Sequence, residues 1–368
     1  MKTLTRHIIN AARAIKHHCS LLPIYVRYAR AASHRFGMDK GVYCNELKKW
    51  VQLYRTTWRR DYVYTQMKTF FGTAITLHSD TLNLSQDQLE PTLVVTVKDE
   101  LERMKLLYEH YRKLGIKQFI IIDNGSTDGT LQYVAAQPGT RVYRVDEPFL
   151  TPKKEAWIAR VLAQTGYNRW YIVVDADELL DYVGSERHSV KELIEHHHNN
   201  GRSRLQGYMV DMYAQADVFT ADCAYNEIAE VFSYFDTSSY FEQSSNSIFG
   251  GPRHRVFGLN NYLSKQAIFC YRPDMLYHNC HSLHWPGHKP WIEMCCVLRH
   301  YKFLKTDLQS YQERVEKKNY YNGSEEYKAI FDTMEHGQAP SLYYKESTHY
   351  INSESLKSLP FIKWTDWK

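Results

Sequence analysis

The sequence predicts an α/β protein: a mostly parallel, doubly wound sheet flanked by helices, with a helical N-terminal extension and a helical C-terminal tail. Three observations carry this. Four short apolar, β-branched runs start near residues 92, 117, 140 and 169. Amphipathic stretches of helical period separate them. Acids stand at the ends of three of the four runs.

TLVVTV (92–97) is apolar on both faces, as a buried central strand must be. LERMKLLYEHYRKLG follows, with Leu101, Met104, Leu107, Tyr108, Tyr111 and Leu114 on one helical face and a stop at Gly115. KQFIIID (117–123) is the second strand. NGSTDGT makes a turn, and Ser126 or Thr127 caps the helix TLQYVAAQ. TRVYRV (140–145) is the third strand, and KKEAWIARVLAQTG is a helix that ends at Gly166. RWYIVV (169–174) is the fourth strand, and DADE follows it directly. In such sheets ligands bind beyond the carboxyl ends of the strands. Asp99–Glu100, Asp123 and the acids from Asp175 to Glu178 therefore share one rim.

Downstream the pattern weakens. SVKELIEHHHNNG (189–201) reads as a helix and RLQGYMVDMY (204–213) as a strand. LRHYKFLKTDLQSYQERVEKKN (298–319) reads as a long helix that begins the tail. This divides the chain into a basic, mostly helical extension and connector (1–90), a nucleotide-binding half (91–185), an acceptor half (186–310) and a helical tail (311–368).

The bulk composition sets limits. With 43% hydrophobic and 24% charged residues the chain has material for a large core. Its seven cysteines include no CxxC pair, which suits free thiols in a reducing compartment and predicts a cytoplasmic protein. No run reaches the roughly 18 apolar residues of a spanning helix, and Arg13 and Lys16 interrupt any signal-peptide core. Residues 1–70 carry 14 Lys and Arg against 3 Asp and Glu, a net +11, which leaves −6 for the rest of a chain whose total is +5. Such a leader suits either an anionic membrane face or a solvated helical face. No nucleic-acid-binding motif accompanies the charge.

The D-x-D of Asp175 and Asp177 places two carboxylates in one loop at a strand end. Hard divalent cations such as Mn²⁺ or Mg²⁺ take such oxygen ligands and bridge to phosphates. DNGSTDGT (123–130) offers a tight turn and a capped helix. Taken with VTVKDE before it and DAD after it, this stretch resembles the family 2 glycosyltransferases of the GT-A fold, over about residues 92–182. Asn124 stands where the family commonly has a second Asp. Downstream, GYMVDMYAQ, YFD (234–236), GGPRHRVFG, LSK (263–265) and LRHYKFL look like the branch found in bacterial cell-surface polysaccharide and lipopolysaccharide pathways.

The resemblance implies roles. Asp123 would contact the uracil of a UDP-sugar, with Thr96, Val97 and Glu100 lining the nucleoside pocket. Asp175 would lie near the ribose or a metal-bound water, and Asp177 would be the main ligand of the divalent metal. A C-terminal histidine on the metal is expected at His281, with His284 and His300 as alternatives. Family 2 enzymes usually invert the anomeric carbon, and one carboxylate deprotonates the acceptor hydroxyl. Asp211 is the first choice for that base, followed by Asp236 and Glu227.

The residues add further expectations. Arg253 and Arg255, beside two glycines, suit a diphosphate. Lys302 and Lys305 either close over it or decorate a helix. The His/Cys run 278–296 fits no standard zinc spacing, and Trp285, Trp291 and Tyr301 suit sugar stacking or core packing. The implied partners are a nucleotide-sugar, a glycan or lipid-linked glycan acceptor and an anionic membrane surface under residues 1–70. Two other readings compete. A sugar-1-phosphate nucleotidyltransferase would want a Gly-rich, basic loop after the first strand, where this chain has KDELERMKLL. A non-catalytic relative would be free to lose DAD.

Overall fold

A computed structural model describes residues 38–279, 281, 283–284, 292–318, 324–335 and 339–367. The first 37 residues of the basic leader lie outside this set, as do Cys280, Trp285, His288 and Trp291.

The centre is a nine-stranded sheet. β2 (Thr92–Val97), β3 (Gln118–Asp123), β4 (Thr140–Arg144) and β5 (Arg169–Val174) are the four predicted strands, ordered β4-β3-β2-β5 and all parallel. β1 (Thr76–Asp80) closes one edge antiparallel to β4. On the other side come β11 (Ser264–Tyr271), β7 (Arg204–Asp211), β14 (Glu293–His300) and β6 (Glu178–Asp181). β11 is antiparallel to both of its neighbours, so β7 and β14 run in the direction of the parallel four. The sheet is mixed but mostly parallel, as expected.

Alternation in the strands builds two cores. Leu93, Val95 and Val97 of β2 face α3 (Leu101–Lys113), α4 (Thr130–Ala135) and α6 (Val190–Asn199). Val94 faces the opposite layer, made by α1 (Lys40–Thr56), α2 (Arg60–Gly72) and α5 (Thr151–Thr165). Trp157 of α5 is wholly buried there and Phe70 of α2 nearly so. At about 25 cal/mol per Å², burying such rings contributes more than their helices' intrinsic propensity. The described part of the extension, from residue 40 to residue 72, is thus part of the outer helical layer: α2 packs along α5.

One reading is corrected. Residues 298–300 do not start a helix: they end β14, whose eight residues are all buried. The helix begins later, as α9 (Asp307–Lys317), followed by α10 (Glu325–Glu335). Beyond them the tail forms a two-residue strand paired with Tyr234–Phe235 and a 3-10 turn at Ser353–Ser358. His300 is therefore fixed by the sheet, and Lys302 lies in the segment just past it, not on a helix face.

Candidate functional site

The chain builds its rim from loops that brace one another. Asp123 ends β3, and its carboxylate accepts the backbone N–H groups of Gly125 (3.0 Å) and Ser126 (3.2 Å). Gly125 sits at φ 72°, a conformation that favours glycine. The same turn is tied to the end of β2. Asp99 accepts from the Thr127 backbone N–H at 2.6 Å, and Asp128 accepts from the Leu101 N–H at 3.0 Å. VTVKDE and DNGSTDGT thus form one braced corner.

Next to it, β5 delivers Asp175 and Asp177. The Asp175 carboxylate lies between Lys154 of α5 and Lys265 of β11, the latter at 3.4 Å. Glu178 accepts the Asp175 backbone N–H at 2.8 Å and also pairs with Lys265. Burial pushes the Asp175 carboxyl up, but Lys154 and Lys265 outweigh it and hold it well below the usual range.

Asp177 faces the end of β14. The parallel register pairs His300 with Asp211, the last residues of β14 and β7. His300 donates from Nδ1 to Asp211 Oδ1 at 2.7 Å, which turns Nε2 to within 3.3 Å of Asp177 Oδ2. The other Asp211 oxygen accepts from Arg253 Nε at 2.7 Å. Arg253 continues to Glu326 of α10 at 2.9 Å, and Lys302 reaches the same carboxylate at 3.1 Å. Arg103 ties Glu100 to Asp307 at the start of α9. Burial pulls His300 down, yet the two aspartates raise it to about 9. Burial raises Asp177, but His300, Arg103 and Lys302 hold it well below the usual carboxylate range. Both aspartates are therefore anionic at neutral pH, with a cation between them.

A divalent ion fits this arrangement only where it replaces the Nε2 proton of His300, since an imidazolium has no lone pair to offer a metal. A carboxylate behind Nδ1 is the usual way to orient a ligating imidazole through its other nitrogen. Among the described residues no three His, Cys, Asp or Glu side chains form a ready metal cage. A Mg²⁺- or Mn²⁺-type ion typically needs only one or two protein ligands, since it keeps waters and takes phosphate oxygens.

Several solved structures are similar to parts of this chain. The TarS 1–349 structure from S. aureus aligns with 36% of this chain and 40% of its own length, at 17% identity and TM-score 0.27. Glucosyl-3-phosphoglycerate synthase from Mycobacterium tuberculosis, in complex with Mn²⁺, UDP and glucosyl-3-phosphoglycerate, aligns over 36% and 50%, at 19% identity and TM-score 0.24. A mannosyltransferase from Pyrobaculum calidifontis, in complex with GDP-Man and Mn²⁺, aligns over 39% and 42%, at 11% identity and TM-score 0.25. The chain thus spans about half the length of these structures or less. At these TM-scores the likeness assigns no activity. No protein-family model matches the sequence, and no curated protein does.

The predicted residues fall into three groups. Asp175, Asp177, Asp211 and His300 share the rim, with Arg253 behind Asp211. Thr96 and Val97 end β2; the Thr96 hydroxyl is buried without a hydrogen-bond partner, and Asn124 Oδ1 is likewise buried and unpartnered. Glu100 is held by Arg103, and Asp123 is fully buried in its own turn. Asp236 forms a separate centre: it accepts from Tyr213, Ser239 and both Nε and Nη2 of Arg255. Glu227 is exposed and accepts the Ala224 N–H. His281 donates from Nδ1 to the Ser264 carbonyl at 2.8 Å, and His284 lies in the two-residue strand β13 (Leu283–His284). Sequence reasoning gave no individual role to Lys154, to Lys265 (met only within LSK), to Glu326 or to Asp307. KK at the start of a helix that precedes the D-x-D strand was a usable signal for the first. The other three converge only through the fold.

Proposed function

We propose that the chain is a metal-dependent, inverting glycosyltransferase. It moves a sugar from a nucleotide-sugar, a UDP-sugar first among the candidates, to a hydroxyl of a glycan acceptor. The observation that carries this is the array Asp177–His300–Asp211, an oriented imidazole and carboxylate at a strand-end rim. Asp177 and His300 would hold Mn²⁺ or Mg²⁺ once the ion has displaced the His300 Nε2 proton, with Asp175 beside them and His281 the other candidate histidine. The bound ion would stabilise the charge on the departing nucleoside diphosphate.

The protein's own groups then divide the task. Thr96, Val97 and the Asp123–Asn124 corner would enclose the nucleoside, with the unpartnered Thr96 and Asn124 oxygens offering hydrogen bonds. Lys154, Lys265 and Arg253 would answer diphosphate charge. Asp211 now orients His300. For it to take a proton from the acceptor, Arg253 must leave its Oδ2. Asp236 would need Arg255 displaced in the same way. The acceptor is proposed to be a membrane-displayed or lipid-linked glycan of cell-surface polysaccharide or lipopolysaccharide synthesis, reached from the cytoplasmic side.

Calorimetric titration with UDP in Mn²⁺ tests the nucleotide site. Binding is expected with metal and is expected to weaken sharply in EDTA. Absence of binding by UDP, GDP and other nucleoside diphosphates alike would remove the proposal.

A further inference from the structure

We propose that the tip of the helical hairpin, residues 55–60, docks on an anionic lipid surface and turns the mouth of the site toward it. The proposal rests on the glycosyltransferase reading only for the lipid-borne acceptor. The docking itself needs no activity.

α1 and α2 are joined by Thr57, Trp58 and Arg59. Trp58 is 90% exposed, the most exposed large apolar side chain among the described residues. Arg59 lies over its ring at 5.6 Å and over that of Tyr62 at 4.5 Å. Arg55 and Arg60 flank the tip, both exposed, and neither pairs with an acid among the described residues. Lys48, two turns before Arg55, and Lys68, two turns after Arg60, are exposed along the same helices. Asp61 is the one acid at the tip. Ahead of the hairpin, residues 1–37 carry seven Lys and Arg and no Asp or Glu.

The tip also lies at the end of the molecule where the site opens. Tyr62 donates to Glu155 at 2.6 Å, while Arg160 further along α5 donates to Phe70 and Thr73 carbonyls beyond the middle of α2. α2 and α5 therefore run parallel, with their N-termini together. Glu155 adjoins Lys154, which pairs with Asp175. Trp58 thus projects from the rim end of the sheet.

An indole suits the headgroup layer, where its ring is buried and its N–H stays wet. Guanidinium groups pair with lipid phosphates, and each basic residue near an anionic surface strengthens binding. Single-stranded nucleic acid is the less favoured polyanion, because it calls for successive stacking rings and the tip offers one fully exposed ring.

The test is co-sedimentation of the full chain with phosphatidylglycerol/phosphatidylcholine vesicles and with pure phosphatidylcholine vesicles. Binding is expected to the first and to be several-fold weaker on the second. Arg55→Gln with Arg60→Gln should reduce it by about fivefold per arginine. Trp58→Ala should also weaken it and should reduce quenching of tryptophan fluorescence by brominated lipid. Both variants alter exposed side chains, so unchanged circular dichroism is expected. Nucleotide release without vesicles should stay at the wild-type level, which separates this proposal from the catalytic one. Equal partitioning of wild type and Trp58→Ala would overturn it. So would transfer RNA binding that falls in the same proportion in both variants while vesicle binding does not.

Discussion

Asp211 illustrates how one carboxylate can be read two ways. Its oxygens face His300 and Arg253 at 2.7 Å each, and the residue is 1% exposed. As an orienter of His300, Asp211→Asn should weaken Mn²⁺ affinity by about 10- to 100-fold, with activity recovered at high metal. As the acceptor's base, the same change should lower turnover at every metal concentration and leave metal affinity intact. Titrating activity against Mn²⁺ separates the two. Arg253→Ala bears on the same point. It leaves Asp211 with His300 and Glu326 with Lys302 as their remaining partners, and removing one member of a buried ion pair costs up to about 3–5 kcal/mol, so a lower melting temperature is expected.

At the scale of elements, the alignment of β7 with β14 is what brings His300 to Asp211. Gly207 lies opposite Cys296 in that pairing, and a Cβ there would stand 2.6 Å from the Cys296 carbonyl oxygen. Gly207→Ala should therefore push the strands apart, at a cost of about 1–3 kcal/mol. Calorimetric melting and loss of Mn²⁺ binding are the joint readout. These two strands also mark where the sequence stops being legible. β2, β3 and β5 are near-uniform apolar runs and β4 a half-buried one, each separated by one helix, so period and order agree. β14 reads EMCCVLRH, and its buried Glu293, Arg299 and His300 break the apolar signal, although Arg299 pairs with Asp181 at 2.8 Å across to β6. β11 likewise buries Lys265 against Glu178. Polar residues satisfied by distant partners look like surface residues in a linear reading. The acids Asp175, Asp177 and Asp211 were legible as strand ends. Their partner Lys154 is near in sequence, on the helix before β5, whereas His300 and Arg253 come from far along the chain and meet these acids only in the fold.

For the molecule as a whole, the part-buried His110 and the buried His197 predict how stability responds to acid. Burial lowers His110 to about 4, where it donates to the Leu180 carbonyl at 2.7 Å, and lowers His197 to about 4 against Thr365. Unfolded histidine titrates near 6.5. The folded state therefore excludes a proton that the unfolded chain takes up. The stabilisation is fully present above about pH 6.5 and lost as pH falls toward 4. Urea unfolding midpoints should drop across that window, and His110→Gln should flatten part of the drop. A second whole-molecule property is the C-terminal clamp. Arg103–Asp307 and the Glu326 contacts to Arg253 and Lys302 hang α9 and α10 over the rim.

The most direct test is metal-dependent release of nucleotide from a nucleotide-sugar. The purified chain is incubated with UDP-sugars and other nucleotide-sugars in Mn²⁺, with and without EDTA, beside Asp177→Ala and His300→Ala. Release is expected from at least one donor, abolished by EDTA and reduced at least about a hundredfold in both variants. Release that persists unchanged in EDTA and in Asp177→Ala would contradict the metal site, and no release from any donor would contradict the enzyme.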